Sequence, residues 1–296
     1  MRITRCAAAL AVFGLALAGC SSEAGNQAAD SAKNTAAVNT ATKFDEGTTM
    51  AKLSEAGKVT IGTKFDQPGF GLLNPQKVPE GFDVEIAKII AGQLGIKPEN
   101  ITWTETVSAN RESFIQDGKV DFVVATYTIN DERKKLVDFA GPYYEAGQDI
   151  MVAKGNPEGI KGPDDLAGKN VCSVEGSTPA ETIRTKYPQA KLTLFDVYSK
   201  CADALSNGQV QAVTTDNVIL TGLVAGAPDK FELVNNPFTK EPYGIGLKKG
   251  DQKFRDFIND VLQKSFDDGA WAEAWDRTAG KITGTEAPEP PTIDRY

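Results

Sequence analysis

The chain of 296 residues contains no histidine. Histidine is the usual general base near neutral pH and the commonest zinc ligand, so its absence argues against Ser-His-Asp hydrolases and zinc sites. An enzyme made from this chain would have to use carboxylates, lysine or tyrosine for proton transfer. No ATP-binding loop motif is present either, and we expect neither a metal nor a cofactor.

A membrane-spanning run of apolar residues is also missing. The apolar run Cys6–Ala18 has about 13 residues, whereas a spanning helix needs about 20. Arg2 and Arg5 precede this run, and the combination is typical of a signal peptide, which we place at residues 1–19. The run ends in Leu-Ala-Gly-Cys, which resembles the bacterial lipobox and predicts acylation of Cys20 and an extracytoplasmic protein anchored to the outer face of the cell membrane. The alternative is a plain secretory leader followed by a chance cysteine.

Blocks of basic residues are absent as well. The formal net charge is −8. Removal of the leader, which contains Arg2 and Arg5, leaves 30 basic and 40 acidic residues and a net charge of −10. Such a charge argues against nucleic acid and anionic membrane surfaces as partners. If this acidic protein binds an anion, its cations must be concentrated at the site.

Cysteine is scarce, with four in the chain, and two of these are Cys6 and Cys20 near the start. In an exported protein the remaining pair, Cys172 and Cys201, is expected to form a disulfide. Closing a loop of about 30 residues would stabilise the fold by roughly 3–4 kcal/mol. The alternative is a pair of buried thiols, whereas a redox or metal site is disfavoured because the CxxC spacing is absent.

Large apolar side chains are almost absent from the segment that follows the leader. Residues 20–47 are rich in Ala, Ser, Asn and Thr, and they are predicted to be an acylated cysteine followed by a flexible tether. Residues 284–296 contain three prolines and are predicted to form a loose C-terminal tail. The remaining body is long enough for two modest domains or one large one.

Short apolar runs alternate with amphipathic stretches through the body, which predicts βαβ units, largely parallel sheets and an α/β fold. The predicted strands are 58–64, 101–106, 120–125, 149–153, 170–174, 191–195, 212–215 and 243–247. The predicted helices are 49–55, 81–90, 111–117, 199–206 and 252–266, with one more that begins at Pro179. A second series of strands and helices starts after Tyr144, which indicates two α/β lobes.

The most informative stretch begins at the predicted strand Val120–Ala125. Small polar residues, including Thr126 and Thr128, follow it, and ligands of open α/β sheets bind beyond the carboxyl ends of strands. Asn130 or Asp131 can cap the next helical turn, which would hold Arg133 above the threonines. A guanidinium suits a carboxylate and threonine oxygens suit an ammonium group, so the stretch predicts a site for a zwitterion. The alternative is a structural cap with a surface ion pair.

Residues 125–144, ATYTINDERKKLVDFAGPYY, resemble the signature of polar amino-acid solute-binding proteins, the extracytoplasmic receptors of ABC importers. The resemblance covers about Lys58 to Gly280. It implies the two-lobe periplasmic-binding-protein fold of type II, in which each lobe is a mostly parallel sheet flanked by helices and two hinge crossings join the lobes. The first lobe would comprise residues 48–145 and 240–283, and the second residues 146–239. The resemblance also implies separate permease and ATPase partners and a monomeric receptor.

The resemblance assigns roles to individual residues. Arg133 is expected to take the α-carboxylate of the ligand, helped by Thr178. Thr128, the backbone carbonyl of Thr126 and Asp216 are expected to accept hydrogen bonds from the ammonium group. From the residues alone, helix capping by Thr178 and a turn at Asp216 are equally good interpretations.

Ligand selectivity is expected to depend on two local cations, Lys64 and Arg111. With Ser108 they match positions by which acidic amino-acid receptors of the family hold the distal carboxylate. Tyr198 stands where those receptors have a histidine donor. The alternative is that both cations are solvated surface residues. We therefore expect glutamate as ligand, then aspartate, with asparagine or glutamine tolerated.

Two other functions remain open from the sequence. One is an enzyme on the same fold, resembling periplasmic dehydratases of cyclic acids, although a zwitterion pair at Asp216 and Arg133 argues against it. The other is an amino-acid sensor that signals to a membrane protein instead of an importer.

Overall fold

The structure is a computed structural model, and it describes residues 37–296. The predicted signal peptide, the acylation site Cys20 and the tether up to residue 36 lie outside the described residues. No helix in the described range is long and apolar enough to cross a membrane.

Thirteen strands and ten α-helices occur in the described part of the chain. The strands are β1 (Val59–Thr63), β2 (Asp66–Gln67), β3 (Gly71–Leu73), β4 (Pro79–Glu80), β5 (Ile101–Glu105), β6 (Phe122–Thr128), β7 (Asp138–Ala146), β8 (Gln148–Ala153), β9 (Asn170–Val174), β10 (Lys191–Phe195), β11 (Ala212–Asp216), β12 (Phe231–Leu233) and β13 (Glu241–Leu247). The helices are α1 (Thr49–Ala56), α2 (Phe82–Gln93), α3 (Arg111–Gln116), α4 (Asp131–Lys134), α5 (Thr178–Lys186), α6 (Tyr198–Ser206), α7 (Asn217–Gly226), α8 (Gln252–Asp267), α9 (Ala270–Arg277) and α10 (Ala279–Thr283).

Two five-stranded sheets organise these elements, and the predicted two-lobe α/β fold is confirmed. The first lobe is built around the sheet with strand order β5-β1-β6-β13-β7, and the second around the sheet with order β10-β9-β11-β8-β12. In each sheet two of the four strand pairings are parallel and two are antiparallel. The sheets are thus more mixed than predicted, because β8 and β13 arrive from the opposite lobe instead of through a crossover helix.

The chain passes between the two sheets twice. It leaves β7 and enters β8 at Gly147, and it returns from β12 to β13 through residues 234–240. β13 then inserts between β6 and β7 of the first sheet. Periodicity alone could not predict this return, because it depends on pairing between strands more than 90 residues apart.

The strand at the predicted site, β6, ends three residues later than the strand that the sequence pattern predicts at 120–125. β6 extends to Thr128, and all seven of its residues are buried. Thr126 and Thr128 therefore lie within the strand, not beyond it, because β13 pairs with its end at Tyr243–Thr128. The pattern also missed β7, whose sequence is interrupted by Pro142.

Both ends of the described chain contact the first lobe. Asn39 donates a backbone hydrogen bond to Gly92 O at 2.8 Å, and the ring of Phe44 packs edge-on against Phe257 with a centroid distance of 5.5 Å. At the other end, Tyr296 Oη accepts a hydrogen bond from the backbone N–H of Phe139 at 2.9 Å. Groups in both terminal segments therefore have partners on the body, and the flexible tether and the loose tail stay predictions.

The predicted disulfide is confirmed. Cys172 on β9 and Cys201 on α6 are bonded, with a Cα–Cα distance of 5.5 Å. Both residues are fully buried in the second lobe. The bond therefore fixes α6 to the central part of the second sheet.

Candidate ligand-binding site

A small cavity of about 10 Å³ lies between the two lobes. Seven of the nine residues predicted for the ligand site line it: Ser108, Arg111, Thr126, Thr128, Thr178, Tyr198 and Asp216. Ser177, Pro179 and Ile219 complete the lining and were not predicted. Lys64 and Arg133 lie just behind this lining. Tertiary structure thus brings the predicted residues of both lobes to one place.

Arg111 supplies positive charge directly to the cavity. Its guanidinium is 2% exposed and lies over the Tyr127 ring, with Cζ 4.2 Å from the ring centroid. One terminal nitrogen donates to the backbone oxygens of Ala125 at 3.1 Å and Thr126 at 3.3 Å. Nε is buried and has no hydrogen-bond partner among residues 37–296. Arg111 is therefore held in place while it keeps donor capacity.

Lys64 is a buried cation next to the cavity. It follows β1, is 2% exposed, and its Nζ donates to Ser108 Oγ at 2.8 Å. Burial, and then the like charge of Arg111, lower the pKa of Lys64 to about 7. The surface alternative for Lys64 and Arg111 is therefore wrong, because both are almost completely buried.

A buried carboxylate that the sequence analysis missed lies behind Thr126, next to Arg111. Asp83 on α2 accepts hydrogen bonds from Thr126 N at 2.8 Å and from Tyr143 Oη at 2.6 Å. Thr126 has a φ of 44°, in the left-handed region that non-glycine residues rarely adopt. Burial raises the pKa of Asp83 to about 6. Asp83 thus holds the backbone whose carbonyl oxygens orient Arg111.

Arg133 joins the first lobe to the second. Asn130 caps α4 by accepting from Arg133 N at 2.8 Å, as one of the two predicted caps. The guanidinium donates to Thr128 O at 2.7 Å and to Gly176 O of the second lobe at 2.9 Å, and Nε lies 3.4 Å from a carboxylate oxygen of Glu112. Burial lowers its pKa to about 10. Its donors are therefore engaged by protein groups, and its predicted contact with a ligand carboxylate stays a prediction.

Thr178 lies at the first turn of α5 but does not cap it. Ser177 is the cap and accepts from Ala180 N at 3.1 Å, so the capping interpretation of Thr178 is wrong. Thr178 Oγ instead donates to Glu241 Oε2 at 2.7 Å and lies 3.3 Å from Thr128 Oγ. Glu241, which is buried at the start of β13, was not predicted. Its only sequence signal is a charged residue at the start of an apolar strand.

Asp216 is the carboxyl group that the second lobe places at the cavity. It ends β11 and is 3% exposed, so it is part of a strand and not of a turn. Oδ2 accepts from Tyr243 Oη at 2.6 Å, whereas Oδ1 is buried without a partner among the described residues. Burial, with a smaller contribution from the charge of Glu241, raises the pKa of Asp216 to about 8. A cationic group placed at Oδ1 would stabilise the charged form.

Tyr198 closes the cavity at the start of α6. It is 3% exposed, and burial raises the pKa of its phenol further above neutral pH. The phenol therefore stays protonated and can donate a hydrogen bond. The whole arrangement places cations on the first lobe opposite a carboxylate on the second, which suits a small molecule that carries both charges.

The chain resembles proteins of known function over most of its length. Residues 59–280 match the model of a family described as bacterial extracellular solute-binding proteins, family 3. The glutamate-binding protein GluB of Corynebacterium glutamicum is 42% identical over 227 residues, which cover 73% of this chain and 77% of that protein. The ABC transporter glutamine-binding protein GlnH of Bacillus subtilis is 40% identical over 237 residues, which cover 79% of this chain and 86% of that protein.

A solved structure has the same fold. It is an ancestral amino acid-binding protein, described as a precursor of cyclohexadienyl dehydratase. It is 29% identical to this chain, with a TM-score of 0.72, and the match covers 78% of this chain and 99% of the ancestral protein. The fold is thus found in amino acid-binding proteins, including one that preceded an enzyme.

Proposed function

Because the chain belongs to family 3 of the bacterial extracellular solute-binding proteins, we propose that it is the binding protein of an ABC importer and captures L-glutamate. The named relatives of comparable length are binding proteins and not enzymes. The observation that carries the proposal is the distribution of charge around the cavity. Arg111 and Lys64 lie on one side, and the unpaired oxygen of Asp216 lies on the other.

The ligand ammonium group would bind Asp216 Oδ1, with Thr128 as a further acceptor. Support comes from burial: a carboxylate oxygen without a partner is unfavourable in a protein interior unless a ligand satisfies it. The α-carboxylate would bind Arg133 and Thr178. These groups would have to release Gly176 O and Glu241 Oε2, respectively, when the ligand enters.

The distal carboxylate of glutamate would bind Arg111, with Ser108, Lys64 and Tyr198 as further donors. A carboxylate is the partner that two buried cations require, and an amide would leave their charge uncompensated. Aspartate has the same groups on a shorter side chain and would bind more weakly. Asparagine and glutamine would be tolerated ligands.

Binding would occur by closure of the two lobes, with residues 48–145 and 240–283 on one side and 146–239 on the other. The ligand stabilises the closed state because only that state offers both Arg111 and Asp216 to one molecule. The membrane permease and the ATPase would be separate chains that recognise the closed form. We further propose that residues 1–19 are removed, that acylated Cys20 anchors a monomeric protein to the outer face of the cell membrane, and that nucleic acid is not a partner.

Isothermal titration calorimetry against the twenty amino acids tests this function. We expect glutamate to bind most tightly, with glutamine at least about tenfold weaker because an unpaired buried charge remains. Failure of every amino acid to bind would overturn the proposed class of ligand. Binding of glutamine as tightly as glutamate would overturn the proposed selectivity only.

A further inference from the structure

Helix α6 begins without a capping side chain of its own. The residue at its N-cap position is Val197, whose side chain has no oxygen and makes no hydrogen bond to the helix. Several other helices are capped from within the chain just before them, by Thr48 for α1, Ser177 for α5 and Asp251 for α8. The first backbone N–H groups of a helix need an acceptor, and α6 must obtain one elsewhere.

The acceptor comes from the opposite lobe. Asp66, which follows β1 in the first lobe, accepts from Tyr198 N at 2.7 Å and lies 3.4 Å from Ser199 N through the same oxygen, Oδ2. A carboxylate is also favoured at a helix N-terminus because the helix dipole is positive there. We propose that this contact, the interlobe cap, stabilises the closed form of the protein. The inference rests on the proposed closure of the two lobes around a ligand.

The interlobe cap acts on a rigid part of the second lobe. The disulfide between Cys172 and Cys201 joins α6 to β9. Pro68, which follows β2 of the first lobe, also meets the second lobe, since its backbone oxygen approaches Gly222 on α7 so closely that a Cβ there would lie 2.4 Å from it. The Asp66–Pro68 segment is thus held against two helices of the second lobe. When the lobes separate, the N–H groups of Tyr198 and Ser199 lose this acceptor.

Asp66 is a positioning residue and not a ligand-binding residue. Its carboxylate does not line the cavity, and its identified hydrogen bonds are to backbone groups. Removal of the cap should therefore weaken the binding of every ligand by the same factor, because it changes the equilibrium between open and closed forms. Its negative charge also raises the pKa of Lys64 slightly, and an effect through Lys64 would instead weaken glutamate more than glutamine.

The experiment compares three variants of the full-length protein with the wild type. Asp66→Ala removes the acceptor, and Asp66→Asn keeps an oxygen without the charge. Asp196→Asn is the matched control, because Asp196 is an exposed carboxylate two residues before the same helix that pairs with Lys200 within the second lobe. Calorimetry gives the dissociation constants of glutamate and glutamine, and NMR gives the amide exchange rates of Tyr198 and Ser199.

We expect Asp66→Ala to raise both dissociation constants by about fivefold to tenfold, the effect of losing a helix cap. Asp66→Asn should have an intermediate effect, and Asp196→Asn should change neither constant by more than about twofold. The exchange of the Tyr198 and Ser199 amides should become faster only in the Asp66 variants. Unchanged constants, or a loss confined to glutamate, would overturn the inference. If the wild type binds no amino acid, the proposed function fails, and unchanged amide exchange in Asp66→Ala would still overturn the interlobe cap by itself.

Discussion

The two lobes contribute opposite charges to the cavity, and they hold them in different ways. On the first lobe, Lys64 and Arg111 are bonded to hydroxyl and carbonyl groups of that same lobe. On the second lobe, Asp216 has one partner, Tyr243, which lies on β13 of the first sheet, and its other oxygen is unpaired. These two cations therefore have partners within their own lobe, whereas Asp216 depends on the opposite lobe or a ligand for its partners.

A related difference occurs between one helix of each lobe, although α5 of the second lobe is capped by its own Ser177. On the first lobe, α4 is capped by its own Asn130. On the second lobe, α6 is capped by Asp66 of the first. This comparison predicts that the first lobe recognises the ligand and that the second lobe responds, and the prediction can be tested at three positions and by a change of pH.

Arg133→Ala should have the largest effect on ligand affinity, because Arg133 donates hydrogen bonds to groups of both lobes. Binding of every amino acid should weaken at least about 100-fold, since a buried, hydrogen-bonded charge contributes about 2–5 kcal/mol at an interface. Calorimetry with glutamate and glutamine measures the loss. Lys135→Ala is the control, because this side chain is 65% exposed and should change affinity by less than about twofold. A tenfold or smaller loss in Arg133→Ala would contradict its predicted contact with the α-carboxylate.

Gly222→Ala should show how much ligand binding depends on the close approach of α7 in the second lobe to Pro68 in the first. The added Cβ would lie 2.4 Å from Pro68 O, and neither group is a flexible side chain. Ligand affinity should fall about tenfold, since overpacking of this kind opposes closure by about 1–3 kcal/mol.

The melting temperature of Gly222→Ala should not fall, because alanine favours a helix over glycine by about 1 kcal/mol. Gly226→Ala on the same helix is the control, since its Cβ would meet no atom within 4 Å. Equal affinities of the two variants would show that the lobes need not approach as closely as in this structure.

Lys64→Ala should separate selectivity from affinity on the first lobe. The loss of a buried cation should weaken glutamate about tenfold more than glutamine, because the distal carboxylate alone requires it. Lys58→Ala at the other end of β1 removes an exposed lysine and serves as the control. An equal loss of affinity for the two ligands in calorimetry would show that Lys64 does not determine selectivity.

A smaller effect is expected from pH. The pKa of Lys64 is lowered to about 7, so in the free protein Lys64 loses its proton as the pH rises above 7, and a bound carboxylate must restore it. The preference for glutamate over glutamine should therefore decline several-fold between pH 7 and pH 9. Asp216, whose pKa is about 8, acts on the ammonium group of both ligands, so its effect cancels in the ratio. A ratio that does not change with pH, or a change that persists in Lys64→Ala, would contradict this assignment.

The local pattern of the sequence predicted most of the regular structure. Apolar β-branched runs predicted strands such as 170–174 and 191–195, which match β9 and β10. The pattern missed β7, the short strands β2, β3, β4 and β12, and helices α7, α9 and α10. The stretch of α7 is apolar on nearly all sides, so it has little amphipathic contrast, although only five of its ten residues are buried.

The candidate site was predictable only in part. Residues 125–144, which include Arg133, predicted where the site lies, and most of the predicted residues line the cavity. Asp83 and Glu241 were missed, because their hydrogen bonds to Thr126 and Thr178 connect residues more than 40 positions apart. Such partners have no signature in a local sequence pattern.

The sequence by itself determined the alternation of strands and helices, the disulfide partners and the family, because these depend on periodicity, on cysteine count and on a continuous string of residues. Only the tertiary structure decided which strands pair with β13 and which backbone oxygens accept hydrogen bonds from the guanidinium of Arg133. It also decided that Asp66 caps a helix of the other lobe. These depend on groups that are distant in sequence. The hydrogen bonds between these groups stabilise the protein only when folding removes the groups from water and brings them within hydrogen-bonding distance.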